Sequence, residues 1–445
     1  MTLDALKSWL EERGIDEVEG IIPDMAGSAR GKIVPARKFC REEGMRLPET
    51  LFAQTVTGEY PEEDILHEAE NDMLLRPDVA TVRQVPWATD PTALVIHDCY
   101  HHDGSPVTVA PRYILKQVLD LYEARGWRPV VAPEVEFFLV QANTDADYPL
   151  KPPVGRSGRP ETVRQSYSID AVNEFDPLFE QMYDYCEVQE IEIDTLIHES
   201  GAAQMEVNFL HTDPLSAADQ VFLFKRTVRE VALRHSIYAT FMAKPMANEP
   251  GSAMHLHGSV VDAKTGRNLF ANEDGSDSDL FLSHIAGLQE YVPSAMPIFA
   301  PYVNSYRRIV RHDAAPINLH WGYDNRTVGL RVPISGAENR RVENRVIGAD
   351  VNPYLAMAAS LACGYLGMVE GLKPTEAMRG SAYDDAVTLP PGLRQALDLL
   401  SASSALREVL GDLFVDLYVA LKEREYDTFF QVISPWEREF LLLNV

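Results

Sequence analysis

Residues 130–140 read Val-Val-Ala-Pro-Glu-Val-Glu-Phe-Phe-Leu-Val, with Glu134 and Glu136 set into an otherwise apolar run. Such a run predicts a strand, in which residues two apart share a face. Glu134 and Glu136 then project together while Val135 and Phe137 take the opposite side. Paired carboxylates in an apolar strand repel each other and lose hydration, a penalty that a cation between them offsets. Whether this is a solvated edge or an acid-lined core sheet depends on what the remaining chain offers as partners.

Three other segments offer the same pattern. In residues 202–209 (AAQMEVNF), Gln204, Glu206 and Asn208 alternate on one face, and Glu199 lies upstream in IHESG. In residues 252–260 (SAMHLHGSV), His255 and His257 share a face, and Gly258 and Ser259 leave the backbone approachable. In residues 340–345 (RRVENR), Arg341, Glu343 and Arg345 recur at period two. Singly, each has a plainer reading as an edge strand, ordinary histidines or a salt-bridged surface. Together, Glu134, Glu136, Glu199, Glu206, Glu343 and His255 form an oxygen-rich set suited to hard divalent ions, Mg²⁺ or Mn²⁺ rather than zinc or copper. Arg308, Arg326, Arg331, Arg341 and Arg345 crowd the same half of the chain, as bidentate binding of carboxylates and phosphates requires. Metal plus arginine is the equipment of phosphoryl transfer. Neither GxxxxGK[ST] nor GxGxxG occurs, so a P-loop or dinucleotide fold is unsupported.

Composition sets the class. The 445 residues carry 40 Lys+Arg against 67 Asp+Glu, a formal charge of −27, with 46% apolar residues. That charge excludes a nucleic-acid binder, and 17 Phe, 18 Tyr and 5 Trp argue against disorder. The start, MTLDALKSWLEERG, reads as an amphipathic helix and not as a signal peptide. The apolar stretch Leu355 to Val369 is too short to span a bilayer. Cys40, Cys99, Cys186 and Cys363 lie far apart without CxxC spacing, as expected of reduced thiols in a cytoplasmic protein. Strands are expected near 18–23, 31–34, 93–99, 130–140, 203–210, 254–261 and 327–333, and helices near 112–125, 176–189, 214–235 and 278–292. From Pro353 the chain reads as largely helical. The polar, turn-rich stretch Tyr100 to Pro111 marks a domain boundary. The order fits an α+β chain with a small domain over 1–105 and a large one over 106–445.

The ordered series Glu134-Val-Glu136, His198-Glu199 through Gln204-Met-Glu206, Pro250-Gly251 through His255-Leu-His257, Asn325-Arg326-Thr, Arg331-Val-Pro333, Arg341-Val-Glu343-Asn-Arg345 and Asn352-Pro353-Tyr354 resembles the glutamine synthetase superfamily over nearly the whole chain. The run 314–329 and the ending Val-Ile-Ser-Pro-Trp-Glu-Arg-Glu-Phe-Leu-Leu-Leu resemble more narrowly the bacterial gamma-glutamylpolyamine synthetases. The resemblance implies a β-grasp-like N-terminal domain and a catalytic domain of antiparallel sheet and helices. It implies ATP-dependent phosphorylation of the γ-carboxylate of L-glutamate, then displacement of phosphate by an amine, with two or three Mg²⁺ or Mn²⁺ ions per site. Carried over, Glu136, Glu199 and Glu206 would hold the metal beside glutamate, and Glu134, His255 and Glu343 the one bridging ATP phosphates. His257, Ser259, Arg331 and Arg341 would meet the nucleotide, Gly251, Arg308 and Arg345 would seat glutamate, and Arg326 would face the transferring phosphoryl group. Six-membered rings, single or stacked, with sites between subunits are also implied, and the apolar tail from Phe440 is consistent with assembly.

Two positions depart from the ammonia-using members. Ala314 stands where they carry a flap glutamate, and Ala53 where they carry an aspartate of the ammonium pocket. Loss of both acids makes room for carbon, so the expected acceptor is an alkyl amine, putrescine or another polyamine. A monoamine, ethanolamine or aromatic amine is the alternative. Ordinary glutamine synthesis or a catalytically silent structural relative fits less well. An aliphatic amine has a pKa of about 10 and must lose a proton before attack. Asp313, beside Ala314, is the expected acceptor of that proton.

Overall fold

The computed structural model describes residues 3–40, 45–62, 65–66, 71–311 and 314–445. The chain opens with a helix, Leu3–Glu12, whose Leu6 and Leu10 are buried against Val18, Ala93 and Val95. They pack on a sheet of β1 (Glu17–Pro23), β2 (Ala29–Pro35), β3 (Met45–Pro48), β4 (Asp72–Pro77), β5 (Arg83–Gln84) and β6 (Thr92–Tyr100). The order is β2-β1-β6-β4-β3, with β5 also on β6, and β1 runs parallel to β6 at the centre. Three of these strands, β3, β4 and β5, fall in what the sequence presents as Pro- and acid-rich loops. They are two to six residues long, and prolines close β3 and β4, so little periodicity develops.

A second sheet carries β7 (Trp127–Gln141), β8 (Ile193–His198), β9 (Gln204–Phe209), β10 (Ile237–Thr240), β11 (Met254–Asp262), β12 (Trp321–Tyr323), β13 (Leu330–Val332) and β14 (Val342–Asn344). Its order is β12-β13-β14-β11-β7-β9-β8, with β10 continuing along the far end of β7. Every pairing is antiparallel except β12 with β13. The strand expected over 327–333 is only three residues long, because β13 pairs just at Leu330 and Arg331 with β14.

Helices cover the apolar face of this sheet. Val135, Phe137, Leu139, Met205 and Val207 are fully buried on that side. The helices Pro111–Glu123 and Pro214–Arg234 pack on β7, and both lie within about two residues of their expected spans. Asp279–Phe299 lies against Pro353–Glu370, a contact that only small residues allow. A Cβ added at Gly287 would stand 2.3 Å from the Cys363 carbonyl oxygen and 2.7 Å from Gly367 Cα. Among the described residues no helix is long and apolar enough to cross a membrane.

Candidate active site

Register places the polar residues in rows across the open face of the large sheet. Glu136 lies directly opposite Glu206, and Glu134 lies opposite both Asn208 and His255. His257 faces Glu343 on β14, and Glu343 faces Arg331 on β13. Directly opposed side chains have their Cβ atoms about 5 Å apart, close enough to share one ion. Glu199 joins the row from the turn after β8, where its backbone N–H donates to Gln204 O at 2.8 Å.

All six expected metal ligands converge. Donor atoms of Glu136, Glu199 and Glu206 lie within 4.8 Å of one another, as do those of Glu134, Glu206 and His255. A third such group joins Glu134 and Glu343 to His257, a residue expected on the nucleotide side. His257 Nε2 is 2.8 Å from Glu134 Oε1, and His255 Nδ1 is 3.4 Å from Glu134 Oε2 and 3.6 Å from Glu343 Oε1.

The electrostatics of these acids divide in two. Burial, reinforced by Glu134, Glu136, Glu199 and Glu343, pushes the Glu206 carboxyl up to about 10. Burial and the neighbouring Glu199 push Glu136 up to about 8, and burial raises Glu199 as well. Glu343 is also buried, but Arg345, His255 and His257 outweigh that and hold it at about 2. At Glu134 the hydrogen bonds from His255 and His257 overcome burial and keep it far below the usual carboxylate range. Burial and Arg345 lower His255 to about 4, which leaves it neutral and able to ligate. The uncompensated half of the cluster, Glu136, Glu199 and Glu206, is therefore short of positive charge. Buried Asn208 Oδ1 also lacks a hydrogen-bond partner among the described residues. Oxygen donors with too few cations fit a hard divalent ion.

Two clefts meet at this row. One, of about 710 Å³, is lined by Glu134, Asn208, His257, Ser259 and Arg341 among others. The other, of about 270 Å³, is lined by Glu136, Glu199, Gly251, Arg308, Arg326 and Arg345 among others, and it shares Glu134 and Asn208 with the first. Arg341 Nε approaches His257 Nδ1 at 3.2 Å on the larger side. Arg331, expected with the nucleotide, lines the smaller cleft instead. Its Nη1 donates to Glu343 Oε2 at 2.9 Å and its Nη2 to Asp324 Oδ1 at 2.7 Å, which turns the guanidinium toward the acids. Arg345 Nη1 also donates to Glu343. Arg308 is fixed by bonds to the Val346 and Arg345 carbonyls at 2.8 and 2.9 Å. Gly251 sits so close that a Cβ there would be 2.5 Å from Arg308 Cγ and 2.7 Å from Ala243 O.

The smaller cleft also holds residues that the sequence did not single out. Ser166 and Tyr167 form part of its wall, as do Ala314 and Ala315. Tyr167 is 59% exposed and has φ +62°, a left-handed conformation that a bulky residue adopts only under constraint. No periodic pattern marks it, because it belongs to a turn. Gln204, noted only for its place on β9, is wholly buried and donates to Glu136 Oε2 at 3.3 Å and to Gly251 O at 3.0 Å, tying the two sides together. Ala53 ends a short turn, Glu49–Ala53, between β3 and β4 and is not among the residues lining this cleft. Asp313 lies outside the described residues.

Comparison with known proteins agrees with this geometry. The family profile described as glutamine synthetase, catalytic domain, matches residues 108–441. The gamma-glutamylputrescine synthetase PuuA of Escherichia coli strain K12 is 36% identical over 437 residues, covering 96% of this chain and 92% of that protein. A glutamate–isopropylamine ligase of Pseudomonas sp. is 32% identical, covering 97% and 96% of the two chains. A solved structure titled as a GmaS/ADP complex superposes with a TM-score of 0.85 at 28% identity, over 98% of this chain and 99% of that one.

Proposed function

The chain belongs to the glutamine synthetase family, and from that premise we propose that it is an ATP-dependent ligase joining the γ-carboxyl of L-glutamate to an amine, with putrescine or another polyamine preferred. Glu136, Glu199 and Glu206 would hold one divalent ion and Glu134, His255 and Glu343 another. Mg²⁺ or Mn²⁺ there would screen the charge that gathers during phosphoryl transfer.

The chain's own residues divide the remaining work. His257, Ser259 and Arg341 hold the nucleotide in the larger cleft, with Arg331 at the junction. Gly251, Arg308 and Arg345 seat glutamate in the smaller one. Arg326 faces the group in transit, where a guanidinium is worth most. A γ-carboxylate oxygen bonds to the terminal phosphorus as the bond to ADP breaks. The amine nitrogen then bonds to the acyl carbon as the carbon–oxygen bond to phosphate breaks, and the nitrogen sheds a proton. Asp313 is our candidate for receiving it. Asp313→Asn should then lower kcat by about a hundredfold and flatten the rise of rate with pH. Unchanged kcat and profile would remove Asp313 from the mechanism.

The observation that carries the choice of acceptor is Ala314 on the wall of a cleft that Ala315 and the exposed residue Tyr167 also line. Small apolar side chains and an aromatic face suit an alkyl amine, whose cationic form also favours a ring. ADP release with glutamate and a panel of putrescine, isopropylamine, ethanolamine and NH₄Cl tests this, with products identified by mass. Ammonia leading the panel by kcat/KM would refute it. A ring assembly is proposed on the exposed apolar surface near the end of the chain, where Phe430 is 70% and Leu443 91% exposed. A cytoplasmic setting is proposed on Cys40, Cys99, Cys186 and Cys363 all being free thiols.

A further inference from the structure

Beyond the residues assigned to substrate, one carboxylate ties together two segments that line the smaller cleft, the turn at 165–168 and the chain at 198–203. Glu161 Oε2 accepts the Ala203 backbone N–H at 2.6 Å and lies 3.1 Å from His198 Nε2. Its Oε1 accepts from Gln165 Nε2 at 2.8 Å. His198 is wholly buried, and its other ring nitrogen, Nδ1, lies 2.6 Å from the carbonyl oxygen of Glu199. The carbonyl of His198 in turn accepts the Tyr167 N–H at 2.8 Å, and the Gln165 carbonyl accepts from Ser168 N–H at 2.9 Å. The Gln165–Ser168 turn, which presents Ser166 and Tyr167 to the cleft, is thus joined through Glu161 and His198 to the backbone that carries Glu199.

Strain lies on both sides of this link. Tyr167 has φ +62° and Ala203 has φ +56°, and neither is glycine. Left-handed non-glycine residues are strained and persist only where surrounding contacts fix them. At Ala203 the fixing contact is the Glu161 carboxylate. At Tyr167 it is the bond to His198, whose ring Glu161 holds.

We infer that Glu161 is a positioning residue for the acceptor amine, fixing the Tyr167 turn against the backbone that carries Glu199 where both line the cleft. The inference rests on the ligase reading for the identity of the acceptor, but not for the geometry. Loss of the link misplaces the amine against the acyl carbon without disturbing the nucleotide cleft, and a displacement of about 1 Å costs roughly a hundredfold in rate.

The test pairs kinetics with a readout that needs no activity. Glu161→Ala should raise the amine KM at least about tenfold and flatten the preference among amines, while the KM values for ATP and glutamate stay within about twofold. Glu161→Gln, which keeps an acceptor for Ala203 N–H, should recover most of that loss. Amide hydrogen exchange should show Tyr167 N–H protected in the parent protein and exposed in Glu161→Ala. Gln165→Ala, which cuts the link at a half-buried surface position, serves if Glu161→Ala does not fold, and should raise the amine KM in the same direction. An unchanged amine KM, or equal rises in KM for all three substrates, would overturn the inference, as would Tyr167 exchange that ignores both substitutions. If the parent protein used no amine at all, the ligase reading would fall, and the exchange data would still decide the geometry.

Discussion

Mg²⁺ titrated into metal-stripped protein at pH 7 should displace about two protons per chain. The number follows from the acids already described. With Glu206 at about 10 and Glu136 at about 8, both carboxyls are protonated at pH 7 without a cation, about fully and about nine-tenths respectively. Glu134 and Glu343 are held low and already ionised, and His255 at about 4 is already neutral, so none of these three contributes. Glu199, also raised, can only add to the count. At pH 9 Glu136 has lost its proton and Glu206 has not, so the number falls to about one. Between those pH values the affinity for Mg²⁺ should rise about tenfold through Glu136 and about a hundredfold through Glu206.

The sign for folding is opposite. In the unfolded chain these carboxyls ionise near pH 4.3, so above that value the metal-free fold holds protons that the unfolded chain has released. Metal-free stability therefore carries no penalty below about pH 4.3 from these groups. It declines as pH climbs from about 4.3, levelling off near 8 for Glu136 and near 10 for Glu206, and Mg²⁺ restores it. Calorimetric titration in buffers of different ionisation enthalpy reads the proton number directly, and Glu206→Gln should remove about one proton from it. Release near zero at pH 7 in the parent protein would refute the reasoning, because the acids would then be ionised without a cation.

Three further outcomes are expected. Ala314→Glu should cut kcat/KM for alkyl amines at least about tenfold and raise it for ammonium, since a carboxylate would refill the cleft wall; a panel of acceptors reads the change. Gly251→Ala should raise the glutamate KM more than about tenfold while nucleotide binding, followed by fluorescence titration, stays put, because the new Cβ would meet Arg308 Cγ at 2.5 Å. Glu343→Gln leaves Arg331 and Arg345 without their shared buried carboxylate and should destabilise the fold by about 3 kcal/mol in urea titration; a loss under about 1 kcal/mol would mean water reaches the pair.

The sheet residues were legible because a two-residue period is a property of the sequence itself. Glu134 with Glu136, and His255 with His257, could be put on common faces without knowing their partners. What period cannot supply is register. That Glu136 opposes Glu206, and that His257 opposes Glu343, joins residues about 70 to 90 positions apart through pairings the chain makes only when folded. Arg331 shows the consequence: its type suits a phosphate, but only the fold shows that it bonds Glu343 and lines the smaller cleft. The acceptor wall was the least legible part. Tyr167 lies in an aperiodic turn with a left-handed backbone, and its N–H bonds to the His198 carbonyl outside that turn.

This unevenness has a chemical consequence. The side chains assigned to metal and phosphate stand mainly on directly opposed strands, where shifting one residue moves a whole row to the wrong face. The wall we assign to the acceptor combines the turn around Tyr167 and the segment at Ala314, neither of which belongs to the ladder. Tyr383 Oη donates to the Ala314 carbonyl at 3.2 Å and Glu161 accepts from Gln165 in the Tyr167 turn, so both segments are held by side-chain bonds outside the sheet ladder. Substitutions there can change the size and polarity of the acceptor end while Glu136, Glu206 and Glu343 keep their register. Acceptor choice and phosphoryl transfer should therefore separate experimentally, with wall substitutions moving the amine KM and sheet substitutions moving metal affinity.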